Sequence, residues 1–327
     1  MADQEIPDPK IARVLGGHNH DVWQLALSPD QKLIAGAGNR GDPRVHIWNP
    51  ETGEVVKILD GHQSDVHTVA WNKKGDRLIT SDGASTLSWP RPDDPTQAWK
   101  SARVFSPQDT AIPSAAVSAK NLIASMYNNV IHVRNEANVD LGDQKCDCNM
   151  LVFNEDGTHL AASSVKNGIM VYDATDYEQA LQRRLVRDAR ERKEEAQVNS
   201  LLWMGETLLT GCEDGSVRSV KDAPFLKLEQ PVLCLTKVDD KTFAVGTTTG
   251  LVIAQFPEMV VQKQIGGFAG GISSVCVYGE ENRYLIAASK ERARAVRQDY
   301  EKWPRVLDFG GPNLGRKPTA LIPDLPV

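Results

Sequence analysis

The chain has 327 residues, of which 41% are hydrophobic and 24% charged, with a formal net charge of −6. So high an apolar fraction with so small a net charge excludes disorder throughout, and a pI near 5.7 leaves no global positive field for nucleic acid. No apolar run reaches the ~18 residues of a membrane-spanning helix, and the opening MADQEIPDPKIARV has neither the basic nor the apolar region of a secretory leader. Five cysteines, an odd number, fit a reducing compartment with unpaired thiols, so a cytoplasmic location is expected, with the nucleus as the alternative.

Residues 1–10 read as an N-terminal extension. The run ARVLGG (Ala12 to Gly17) then leads into the first of two clear internal repeats, His18 to Asn49 and His62 to Pro90. Each begins Gly-His, then three residues, then a valine opening an alternating run. A turn follows (SPDQ, then NKKGD), then a second run (KLIAGAG, RLITS), a turn bearing Asp42 or Asp82, and a third run ending in Trp48 or Trp89. EVVKILD supplies a fourth run between them. Four short strands in about 44 residues, repeated, is the pattern of a propeller blade.

These residues resemble the WD40-repeat family, whose blades carry Gly-His near the start and Trp-Asp at the end of the third strand. Later units keep less of the pattern. Cys146 to Asp173 ends in Tyr172-Asp173, and the unit from Gln197 has Val220 at the tryptophan position. Pro231 to Phe256, Ile272 to Arg297 and Ala111 to Asn135 keep only alternation and turns. The expected fold is all-β, a seven-bladed WD40-type propeller over residues 11–310, with a Pro/Gly-rich tail over 311–327. A strand from one end of the chain should close the ring. ARVLGG is favoured, with Trp303 to Val327 lying over the outside or base, although WPRVLDFGG (Trp303 to Gly311) has the same shape.

The resemblance also assigns a structural tetrad. In the second unit it comprises His62, Thr80 or Ser81, Asp82 and Trp89; in the first, His18, Asp42 and Trp48, with Ala35 where the hydroxyl belongs. The first unit has a longer turn, NRGDPR, which is expected to project. A His, Ser and Asp set could suggest a catalytic triad, but a buried network of this kind is better read as structural.

No further chemistry stands out. Cys146-x-Cys148 has no second pair for zinc, Cys212, Cys234 and Cys276 read as core filler, and no phosphate-binding, dinucleotide or nucleophile-elbow motif occurs. No metal, cofactor or catalytic residue is expected. RRLVRDARERKEE (Arg183 to Glu195) reads as a charged outer strand and loop, or as a docking element for an acidic partner.

The family's partner contacts lie on the narrower face, beside the first residue of each inner strand. Carried over, they are Asp21, Trp23, Asp65, His67, Asp147, Asn149, Gln197, Asn199, Leu233, Gly271 and Ser273, with Ser81 and Glu213 in turns. An exposed Trp beside carboxylates suits a basic peptide with an apolar anchor; equally, the aspartates can serve only to cap turns. The expected function is a non-enzymatic interaction scaffold or adaptor in a multi-subunit assembly. A substrate receptor of a ubiquitin ligase is the alternative, although the expected Trp-Asp-Arg docking motif is absent. A propeller hydrolase is a lesser one, and nucleic-acid binding is unlikely.

Overall fold

The computed structural model describes residues 10–308 apart from 16–20, 39–40, 83–84, 95, 106–110, 128, 136–138, 146–147, 165–167, 176–185, 193–196, 221–224, 267, 269, 280–283 and 290–304. No helix occurs among them. The strands form four-stranded antiparallel sheets, seven in number, each built from consecutive hairpins except the last. Their inner strands are Val22–Leu27, Val66–Trp71, Ala111–Val117, Met150–Phe153, Val198–Met204, Val232–Asp239 and Ile272–Tyr278. Each inner strand touches the next, and the seventh touches the first, so the sheets close a β-propeller.

In the first four sheets the first hairpin is held by one polar residue at the end of its inner strand. Ser28, Asn72, Ser118 and Asn154 are all buried there. Each side-chain oxygen accepts the backbone N–H that opens or precedes the second strand, at 2.8–3.1 Å. These residues favour turns because they satisfy backbone donors locally.

The core is divided into wedges between neighbouring sheets. Val45, Ile47 and Leu59 of the first sheet pack on Val69, Leu78 and Trp89 of the second. Cys276 and Ile286 of the seventh pack on Val22, Ile34 and Trp48 of the first.

Ring closure differs from expectation in one respect. Arg305–Asp308 does not lie outside the ring: it is the third strand of the seventh sheet, paired with Tyr284–Ser289 on one edge. Lys10–Val14 pairs with its other edge as the fourth strand. The two rival segments therefore occupy adjacent places, and the third strand expected near Arg297 falls at Arg305 instead. Residues 1–9 and 309–327, which include the expected tail, lie outside the described residues.

The tetrad of the second sheet is complete and buried. Trp89 Nε1 donates to Thr80 Oγ1 at 2.7 Å, His62 Nε2 lies 2.6 Å from the same oxygen, and His62 Nδ1 lies 3.1 Å from Asp82 Oδ2. With the Nδ1 proton toward the carboxylate, the Thr80 hydroxyl donates to Nε2. Asp82 also accepts from the backbone of Gln63, Ser64 and Ser85, tying the inner-strand approach to the opposite turn.

Register corrects the first sheet. Leu25 pairs with Gly36 as Val69 pairs with Thr80, so the hydroxyl position is Gly36, not Ala35. A Cβ on Gly36 would lie 2.5 Å from a ring carbon of Trp48, whose indole fills that space. Asp42 is buried and holds Arg44 through two bonds, at 2.7 and 3.1 Å. His18 lies outside the described residues. Of the longer turn, residues 39 and 40 lie outside the described residues, and Gly41 N donates to Asp65 Oδ1 across the seam to the second sheet.

Asp214 performs a related task in the fifth sheet. Partial burial pushes its carboxyl up, but bonds from Ser216, Lys227 and Arg218 outweigh this and hold it at about 2, against the ordinary 3.8.

Three outcomes follow from these contacts. Thr80→Val should cost about 2 to 4 kcal/mol in chemical denaturation, because it strands a buried donor, Trp89 Nε1, and a buried acceptor, His62 Nε2. Gly36→Thr, which supplies the missing hydroxyl, should destabilise by about 1 to 3 kcal/mol through overpacking against Trp48. The depressed carboxyl of Asp214 stabilises fully above pH 3.8 and is lost as pH falls toward about 2. Asp214→Asn should therefore lower the melting temperature at pH 7, with the difference vanishing near pH 2.

Candidate functional site

An inner strand is the edge of its sheet, so half of its amides point away from their own hairpin and need acceptors. The preceding sheet supplies them. The N–H groups of Val69, Ala115, Leu151, Leu235 and Leu25 donate to Gln24 Oε1, Thr68 Oγ1, Ser114 Oγ, Ser200 Oγ and Ser274 Oγ, at 2.8–3.4 Å. Each acceptor stands at the same register position of its inner strand, and together they form a relay around the axis.

Immediately before that position, the strand bulges. The register shifts between Val22 and Gln24, Val66 and Thr68, Val198 and Ser200, Val232 and Cys234, and Ile272 and Ser274. The extra residue is therefore Trp23, His67, Asn199, Leu233 or Ser273. A bulge turns one side chain out of the pleat, and here it turns toward the axis. With Asn149 of the fourth sheet, these residues line a central channel of about 380 Å³. All six were expected as contacts on the narrower face, and the structure brings them together on the channel lining, five of them at bulges and Asn149 just before its inner strand.

Trp23 and His67 meet with ring centroids 4.6 Å apart and planes tilted by 37°. Burial pushes the His67 imidazole below its ordinary 6.5, against the pull of Asp65 and Asp82, so it is neutral at pH 7. Asn199 Nδ2 donates to Glu213 Oε2 at 2.7 Å and to Val232 O at 2.9 Å. Ser273 Oγ donates to Val22 O at 2.6 Å, across the seam that closes the ring.

The remaining expected face residues divide. Asp65 is half-buried, and its carboxylate accepts from Gly41. Gln197 and Glu213 are exposed. Asp21 and Ser81 are corrections: both are buried, at 7% and 3% exposure. Ser81 lies in a hydroxyl chain with Thr86 and Ser125 that joins the second sheet to the third. Asp147 lies outside the described residues. The expectation of unpaired thiols is also corrected, since Cys148 is disulfide-bonded. Cys212, Cys234 and Cys276 carry buried thiols, and burial pushes Cys276 up to about 12.

Sequence reasoning missed the relay acceptors. Their signal is a polar residue two places after the residue that opens the inner strand, as in Val22-Trp23-Gln24 and Val198-Asn199-Ser200. Among the described residues no group of His, Cys, Asp and Glu is placed to hold a metal ion, and no helix is long and apolar enough to cross a membrane.

Comparison with known proteins agrees with this architecture. Residues 9–49 and 53–87 match the family described as WD domain, G-beta repeat. A probable cytosolic Fe-S cluster assembly factor of Schizosaccharomyces japonicus is 34% identical over 74 residues, 22% of this chain and 12% of that protein. Eukaryotic translation initiation factor 3 subunit I of Aspergillus fumigatus is 38% identical over 63 residues, 19% of this chain and 18% of that one. The matches thus span less than a fifth of either relative. The crystal structure of RRP9 WD40 repeats superposes with a TM-score of 0.75 at 16% identity, covering 93% of this chain and 99% of the other. The structure of U3-55K superposes with a TM-score of 0.73, also at 16% identity, covering 92% and 98%. The WD domain, G-beta repeat match is thus confined to the first two repeats, and the likeness to these solved structures shows the β-propeller fold for the chain as a whole.

Proposed function

We propose that this chain is a non-enzymatic scaffold, a seven-bladed ring that holds protein partners at the channel mouth within a larger assembly. The observation that carries this reading is the set formed by Asn149 and the five bulged residues Trp23, His67, Asn199, Leu233 and Ser273, contributed by six separate sheets to one channel. An aromatic anchor beside adaptable amides and a hydroxyl suits an extended peptide, because it offers apolar area and hydrogen bonding together. Asp65 and Glu213 on the rim favour a peptide carrying Lys or Arg. The neutral His67 adds no opposing positive charge at pH 7.

The names of the relatives point the same way: one is an assembly factor and another a subunit of an initiation factor. A cytoplasmic location belongs to this proposal.

The test is binding to an immobilised peptide array that varies Lys and Arg content around an apolar residue. Trp23→Ala should weaken retention at least ten-fold, as loss of an aromatic anchor does. Asp65→Asn keeps the acceptor for Gly41 but removes the charge, and should weaken only the basic peptides, with a reduced salt dependence. If neither variant changes the array while both melt like the parent chain, the partner docks elsewhere.

A further inference from the structure

The relay of inner-strand acceptors is interrupted between the fourth and fifth sheets. Met150 stands where Gln24, Thr68, Ser114, Ser200 and Ser274 stand in other sheets, opposite Ser163 as Thr68 is opposite Ser81. Its thioether is at best a weak acceptor, so the Leu201 amide faces no counterpart of the bonds made by Val69 or Leu235.

A second bond is lost at the same seam. Trp71 and Trp203 occupy equivalent inner-strand positions, opposite Leu78 and Leu208. Trp71 Nε1 donates to Ala26 O of the preceding sheet at 3.1 Å. Trp203 is 4% exposed, yet its indole nitrogen is buried without a hydrogen-bond partner. Its ring meets His159 of the fourth sheet only as a tilted contact, with centroids 6.1 Å apart.

The seam between the sixth and seventh sheets, where Cys234 replaces the hydroxyl, is compensated. Cys234 Sγ donates to Ile272 O at 3.6 Å and Thr236 Oγ1 to Val275 O at 2.8 Å. Between the fourth and fifth sheets the described contact is apolar: Ala161, Ile169 and Val171 against Leu201, Leu208 and Cys212. Such contact has no fixed direction.

We infer that the ring opens at this seam, a lateral gate that admits an extended segment to the channel between Asn149 and Asn199. Among the described contacts, opening there breaks apolar packing and the exposed ion pair that joins Lys237 of the sixth sheet to Glu155 of the fourth, whereas every other seam must also break a directional bond between its inner strands.

Cys212 lies within the seam and reports on it. In the native full chain, its labelling by a maleimide, followed by peptide mass spectrometry, measures the open fraction. Met150→Ser supplies an acceptor and should slow Cys212 labelling about five-fold, the worth of one hydrogen bond. Met150→Leu, which supplies none, should leave the rate unchanged. Equal rates in the two variants overturn the gate. In the unmodified chain, Cys212 labelling should depend only weakly on denaturant, as local opening does. A dependence as steep as that of global unfolding overturns it whether or not the variants fold.

Discussion

Everything in this ring follows from the open edge of the inner strand. A strand at the axis pairs on one side only, and its outward amides cannot be left dry. At five of the seven seams such an amide is met by a side chain from the sheet before, at a fixed register position, so that satisfying the backbone and joining the sheets are one act. The bond from Leu25 to Ser274 is no different in kind from the others, although it spans the chain almost from end to end. Closure is therefore not a special device added to a stack of sheets.

The same positions explain how surface chemistry is separated from structural chemistry. The bulge places two residues against one on the neighbouring strand, so one side chain serves the relay and the adjacent one is presented to the channel. Trp23 and Gln24 divide the work in the first sheet, His67 and Thr68 in the second, Asn199 and Ser200 in the fifth. Bulges recur at the rim: the outer pairing is shifted in every sheet except the fifth. An outer edge bent in this way is a poor template for another strand.

The fold was legible because turns and alternation recur at a steady interval, and that pattern survives where the signature residues do not. The face residues were legible through their offset from the strand-opening residue. What the sequence could not convey was depth and register. Asp21 and Trp23 lie on the same approach, yet one is buried and the other reaches the channel, because the bulge at Trp23 has no spelling of its own. Ala35 and Gly36 are neighbours in sequence, and only pairing with Leu25 shows which one stands at the hydroxyl position. The two closing segments looked like rivals because each has the form of an outer strand; long-range pairing alone shows that one sheet takes both.

That shared sheet carries a consequence for assembly. Its fourth strand is Lys10–Val14 and its third is Arg305–Asp308, so of the described strands the one made first can be seated only after the one made last. Six sheets are local hairpins that can form as they emerge, while the seventh waits on a contact of almost maximal sequence separation, the slowest kind to establish. Until then Lys10–Val14 has no strand to pair with. The segment that makes the finished ring seamless is the one the growing chain must keep from pairing elsewhere.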